Sequence, residues 1–245
     1  MMRDESIDPR QSEANWTSIA ARPFDLQNCW SSLVEHFPKP GAPCGRVARA
    51  AEWYDRLAAA YQSADRHYHN LSHISQMLSW INSTWQETRE NQLIAMWATF
   101  FHDAVYDSRQ KDNEERSAAM SLEAAGELQI PPQIADPAAD WILRTKSHDA
   151  GGSTACAHFL DCDLAILGAP ENLYRAYADA IRKEYAWVPD DGYRSGRSEV
   201  LAGFLKRRRI YATDCMAKEL EAPARKNLQN ELRELGGLNS LHRAR

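Results

Sequence analysis

The 245-residue chain lacks several features that define common classes of protein. Its five cysteines are scattered and form no C-x-x-C pair, which predicts reduced thiols rather than a disulfide framework. No apolar run approaches the ~20 residues that a membrane span needs, and the polar start MMRDESIDPR has no signal-peptide core. These absences predict a cytoplasmic protein that does not use a membrane as a partner.

Two common catalytic motifs are also missing. The chain contains no G-x-x-x-x-G-K-[ST] sequence, so the glycine pair at residues 151–152 does not belong to a P-loop. It contains no G-x-S-x-G nucleophile elbow either. A net charge of −5 argues against a general nucleic-acid-binding surface.

Helical periodicity is what the sequence has in abundance, and alternating runs of β-branched residues are nearly absent. Between residues 46 and 65, for example, apolar side chains recur every three or four positions. The pattern predicts an all-α fold with a single domain over residues 23–240, preceded by a flexible segment, 1–22. The predicted helices cover residues 24–36, 46–65, 70–81, 90–106, 112–126, 133–147, 171–187, 196–212 and 220–235.

An adjacent His102–Asp103 pair interrupts the most apolar of these helices. The surrounding run, WATFFHDAVYD, otherwise consists largely of residues that fill a protein core. Burying an imidazole and a carboxylate costs several kcal/mol unless a partner satisfies them. A divalent metal ion does so, because it binds neutral imidazole and ionised carboxylate together. The alternative is a neutral core histidine beside an aspartate at the exposed end of the helix.

Further ligand-type residues recur in three other segments. RHYHNLSHI supplies His69 and His73, TKSH supplies His148, and FLDCDL supplies Asp161 and Asp163. His73 falls in the first turn after the predicted Asn70 cap, where the helix dipole disfavours an imidazolium ion. Side chains from different helices of a bundle can converge on one interior point, as in known metal-binding bundles.

This ordered set resembles the HD superfamily of metal-dependent phosphohydrolases. The segments YHNLSHI, FHDAVYD, DNEERSA and DCDLAILG are similar to those of a bacterial branch of that superfamily, and the resemblance runs from about residue 50 to residue 230. It implies a five-helix HD core extended by C-terminal helices. By position it also implies four metal ligands, which are His73, His102, Asp103 and Asp161.

Three choices among the ligands stay open. His69 could replace His73 or join it at a second metal, and His148 could also serve a second metal or instead cap the end of a helix. Asp161 and Asp163 are about 200° apart on a helix, so they cannot both face one centre. We prefer His73 and Asp161. The mixed nitrogen and oxygen ligands favour Mn, Fe, Ni or Zn over Ca, which prefers oxygen ligands alone, and Mg is a further candidate for the ion.

The resemblance also implies a reaction, the hydrolysis of a small phosphorylated substrate with a nucleotide as one option. Asp103 or Glu114 would then orient the attacking water. Alternatively, Glu114 is simply an acidic residue of the first helical turn, which the helix dipole stabilises. Arg182 and Arg197 are predicted to bind the phosphate through their forked donors. Two alternatives remain: a non-catalytic module that binds a metal or nucleotide, and an HD-fold di-iron oxygenase.

Overall fold

The computed structural model describes residues 16, 18, 19, 24–37 and 45–236 and shows only helices and loops within them. The all-α prediction is therefore confirmed. The predicted flexible segment 1–22 lies outside the described residues apart from residues 16, 18 and 19. The helices are α1 (Leu26–Glu35), α2 (Arg46–Tyr61), α3 (Leu71–Thr84), α4 (Arg89–Phe101), α5 (Asn113–Glu127), α6 (Pro132–Thr145), α7 (Thr154–Asp163), α8 (Glu171–Glu184), α9 (Asp190–Lys206) and α10 (Asp214–Glu234).

The chain divides into two compact units. The first, here called the central unit, is Arg22–Cys162, and the second, the terminal unit, comprises Met1–Ala21 and Asp163–Arg245. The predicted single domain over residues 23–240 stays a prediction. None of the described helices is both long and apolar enough to cross a membrane.

Helix α4 is the centre of the first unit and packs against α1, α3, α5 and α6. Its side chains are buried on nearly every face, which explains why the sequence there is apolar without an amphipathic stripe. Trp97 stacks on Trp30 of α1 with ring centroids 5.3 Å apart. Burying such aromatic rings gives the central unit a large hydrophobic contribution to its stability.

In the terminal unit, α10 packs against a 3-10 turn, Leu164–Gly168, and against α9. The close approach of α10 to the turn requires a glycine, because a Cβ at Gly168 would lie 2.7 Å from Cβ of Leu220. The buried amide of Asn227 donates hydrogen bonds to two carbonyls at the end of the turn, those of Leu167 and Ala169.

The largest differences from the sequence-based helix boundaries fall at three helices. The helix predicted for residues 196–212 spans Asp190–Lys206 instead. The last helix begins at Asp214 rather than residue 220. Helix α4 ends at Phe101 rather than residue 106, so His102 and Asp103 lie in the turn after the helix. The cause is that the last carbonyls of α4 and those of the following turn find other donors. The Thr99 carbonyl accepts from His102 Nδ1, the Phe100 carbonyl from the Tyr61 hydroxyl, and the Phe101 carbonyl from the Ala104 N–H. The carbonyls of Asp103 and Ala104, in the turn, accept from Arg66.

Candidate metal centre

The candidate centre lies where the start of α3 meets the end of α4. Asn70 caps α3 as predicted, because its side chain accepts a hydrogen bond from the Ser72 backbone N–H. This places His73 in the first turn of α3. His102 is the C-cap residue of α4, and both imidazoles are almost completely buried, with 4% exposure for His73 and 2% for His102.

Three potential ligand atoms converge there. His73 Nε2 and His102 Nε2 are 3.1 Å apart, and Asp103 Oδ2 lies 3.0 Å from His102 Nε2 and 3.9 Å from His73 Nε2. Two ligands at right angles on an ion with bonds of about 2.1 Å are about 3.0 Å apart. The shorter spacings therefore match neighbouring positions around a single ion.

The backbone selects the tautomer of His102. Its Nδ1 lies 2.9 Å from the Thr99 carbonyl, which can only accept a hydrogen bond. Nδ1 therefore carries hydrogen, and the neutral ring directs the Nε2 lone pair towards His73 and Asp103. A carbonyl that holds the far nitrogen in this way is the usual outer support of a metal-binding histidine. The residues thus fit a divalent ion, both in donor type and in orientation.

A carboxylate from α7 forms a further grouping with the same two histidines. The ligand atoms of His73, His102 and Asp163 all lie within 4.8 Å of one another, so these three residues could hold a metal ion. Asp163 is the last residue of α7, whose preceding residues belong to the central unit. Asp161, our preferred ligand from the sequence, is buried two residues earlier and is not a member of this group. The geometry therefore favours Asp163, and the role of Asp161 stays a prediction.

The charge state of Asp103 reflects its surroundings. Burial raises the pKa of this carboxyl, but the imidazoles of His102, His69 and His73 outweigh it and hold the pKa below its ordinary value. Part of the lowering comes from a hydrogen bond that His102 donates only when its Nε2 also carries a proton. A bound ion would take the place of that proton. Asp103 therefore stays ionised, which is the state that a metal ligand requires. Its side chain keeps 19% exposure and so borders solvent.

The two histidines predicted for a second metal lie in different settings. His69 stacks on Tyr106 with ring centroids 4.2 Å apart, and it is close enough to affect the pKa of Asp103. His148 follows α6 in the left-handed region at φ 51°, with its backbone N–H bonded to the Arg144 carbonyl. This bond is of the kind that closes a helix. The role of His148 at a second metal, like that of His69, stays a prediction.

The predicted water-orienting Glu114 lies in the first turn of α5, 3.5 Å from the Lys146 ammonium. Lys146 also contacts Glu115 at 2.6 Å. The neighbouring carboxylates thus share an exposed lysine, which is the arrangement of a surface ion pair. The catalytic role of Glu114 stays a prediction.

The predicted phosphate-binding arginines both belong to the terminal unit and already have acceptors. Arg197 forms a bidentate ion pair with Glu231, with 8% and 9% exposure of the two side chains. Arg182 donates to Asp190 and to two backbone carbonyls, those of Tyr185 and Val188. These donors are already in use within the terminal unit, and the phosphate-binding role of the two arginines stays a prediction.

Two buried residues of the central unit were not predicted from the sequence. Arg66 donates hydrogen bonds to the carbonyls of Asp103 and Ala104, in the turn that carries Asp103. His158 on α7 lies 2.9 Å from the Thr84 hydroxyl and stacks on Trp85. Neither residue belongs to a recurring sequence pattern, so only the folded structure shows which residues they contact.

The sequence matches no known family model, and a comparison with curated proteins likewise finds no match. The resemblance to the HD superfamily therefore stays a prediction. The structure shows two buried imidazoles and the carboxylate of Asp163 in a group that could hold a metal ion.

Proposed function

We propose that the protein is a metal-dependent phosphohydrolase of the HD type that acts on a small phosphate ester. The observation that carries the proposal is the convergence of His73, His102 and the carboxylates beside them on one buried point. A purely structural staple is a poorer explanation, because a chain of this length buries enough apolar surface without one.

Each side chain of the group has a defined part. His73, His102, Asp103 and Asp163 would hold the ion, which when bound polarises a phosphoryl oxygen and lowers the pKa of a coordinated water. The Thr99 carbonyl keeps His102 in the tautomer that presents Nε2.

Asp103 is the residue best placed to orient the attacking water. Its carboxylate is ionised and partly exposed, so it can accept a hydrogen bond from an incoming water and orient a lone pair of that water. The imidazoles of His73 and His102 are buried, so bulk water approaches the centre from the side of Asp103 that borders solvent rather than past these rings.

The experiment is a hydrolysis screen of nucleotides and simple phosphate monoesters with Mn, Ni, Co and Mg. Asp103→Asn is the test variant, and Asp140→Asn is the matched control, because Asp140 is an exposed carboxylate that pairs with Arg144. We expect metal-dependent release of phosphate that Asp103→Asn abolishes and Asp140→Asn retains.

Three outcomes would contradict the proposal. Activity that survives in Asp103→Asn would indicate a contaminant. Tight metal and nucleotide binding without turnover would indicate a binding module. A coupled pair of iron ions with no phosphatase activity would indicate the oxygenase alternative, for which His69, with its ring centroid 6.2 Å from that of His73, is a predicted extra ligand.

A further inference from the structure

Arg66 is a buried cation beside the candidate metal centre, with 9% exposure. It precedes α3 in sequence, in the loop after α2. Its guanidinium group lies over the rings of Tyr61 and Tyr106, at 5.0 Å and 5.6 Å from their centroids. Burying this charge is costly unless strong acceptors surround it.

The acceptors are backbone carbonyls from both sides of the centre. One terminal nitrogen of Arg66 donates to the His69 carbonyl at 3.2 Å and to the Asp103 carbonyl, and the other donates to the Ala104 carbonyl at 2.9 Å. Arg66 thus connects the loop that leads into α3 with the turn that follows α4. These are the segments that carry His73 and the His102–Asp103 pair.

The bonds to Asp103 and Ala104 also turn the backbone away from the helical path. In a continued helix, these carbonyls would point along the axis towards donors in the next turn. Drawn to Arg66 instead, they belong to a turn in which the Asp103 side chain faces the two imidazoles.

We propose that Arg66 is a positioning residue that sets the separation and orientation of His73, His102 and Asp103. The inference rests on the proposed metal site and concerns its preorganisation. A planar guanidinium group can serve carbonyls on two segments at once because its donors are fixed in a fork. A lysine at this position would supply one rotatable ammonium and would fix the relative position of the two segments less firmly.

The test measures binding of Co²⁺ to the purified full chain by titration calorimetry and records the visible absorption of the bound ion. The variants are Arg66→Ala and Arg66→Lys. Arg46→Ala is the matched control, because Arg46 also donates to carbonyls of two separate segments, Leu128 at 2.8 Å and Val34 at 2.8 Å. It therefore loses comparable structural bonds away from the ligands.

We expect Arg66→Ala to weaken Co²⁺ binding by roughly 10–100-fold, the usual effect of removing an outer support of a metal site, and to alter the absorption spectrum. Arg66→Lys should fall between the alanine variant and the wild type. Millimolar guanidinium ion should restore part of the affinity of Arg66→Ala, which a loss of general stability would not allow. Arg46→Ala should bind Co²⁺ as the wild type does.

The inference is overturned if Arg66→Ala keeps the affinity and spectrum of the wild type, or if Arg46→Ala weakens binding equally. If Arg66→Ala does not fold, Arg66→Lys decides between the same outcomes. Failure of the wild type itself to bind metal would instead refute the proposed function.

Discussion

Each of the two units buries a polar cluster, and the clusters differ in what their atoms offer each other. In the terminal unit, Arg197 meets Glu231 through two hydrogen bonds, and the Tyr174 hydroxyl donates to the same carboxylate. In the central unit, the atoms of His73, His102 and Asp103 that converge can all present lone pairs.

The difference separates two uses of buried charge. Opposite charges that satisfy each other stabilise a fold mainly by avoiding the penalty of an unpaired charge. Atoms that can donate electron pairs to the same point are arranged as ligands for a cation. Burial alone therefore does not identify a functional site, whereas the chemistry of the atoms that meet does.

The largest effect is expected from a substitution that disrupts the terminal cluster. Glu231→Ala leaves the Arg197 charge buried without its carboxylate, so we expect the free energy of unfolding to fall by about 3–5 kcal/mol. Urea denaturation measures it. The control is Glu171→Ala, which removes an exposed ion pair with Arg175 and should cost less than about 1 kcal/mol. Similar losses in both variants would show that the buried pair has no special weight.

The next largest effect is expected from a substitution that disrupts the central cluster. Because His102 supplies a ligand atom, His102→Ala should weaken Mn²⁺ binding by more than about 100-fold, exceeding the effect expected for an outer support. His158→Gln replaces another buried histidine of the same unit and should leave binding unchanged. Calorimetric titration with Mn²⁺ measures the affinity of both variants. Equal affinity in His102→Ala and the wild type would show that the central cluster does not bind the metal.

A smaller effect distinguishes the two carboxylates of α7. Asp163→Asn should weaken Mn²⁺ binding by roughly tenfold, about 1.4 kcal/mol, and more than Asp161→Asn does. The reason is that Asp163 groups with the two histidines. Both substitutions conserve shape, so a difference between them reports on the ligand. A larger loss in Asp161→Asn would restore the ligand that the sequence favoured.

The smallest expected effect is a change in how stability depends on pH, caused by His158, a residue that belongs to neither cluster. Burial lowers the pKa of His158, so this ring is neutral in the folded protein at pH values where it is protonated after unfolding. Its contribution to stability is present above about pH 6.5, the unfolded value, and is lost as the pH falls through the folded pKa.

His158→Gln should therefore reduce the decrease in Tm between pH 7 and pH 5. Thermal scans of the variant and the wild type at the two values measure this. The Asp103 carboxyl, with its lowered pKa, changes charge only at more acidic pH and does not contribute in this window. An unchanged pH dependence in the variant would show that His158 is not the titrating group.

Local patterns predicted much of the fold correctly. Asn70 caps α3 through the predicted side-chain bond, and α5 covers Asn113–Glu127, close to the predicted residues 112–126. The end of α4 could not be predicted, because it depends on carbonyls bonded to Tyr61 and Arg66, which are distant in the sequence.

The sequence by itself determined the all-α class and placed His73, His102 and Asp103 among the candidate ligands, because helical periodicity and the presence of polar residues in an apolar run are local properties. Only the tertiary structure decided which residues meet. It grouped Asp163 with the histidines, paired Arg197 with Glu231, and placed Arg66 between the two ligand-bearing segments. The physical reason is that hydrogen bonds and ligand geometry act over a few ångströms, and the distance between residues along the chain does not fix their distance in space.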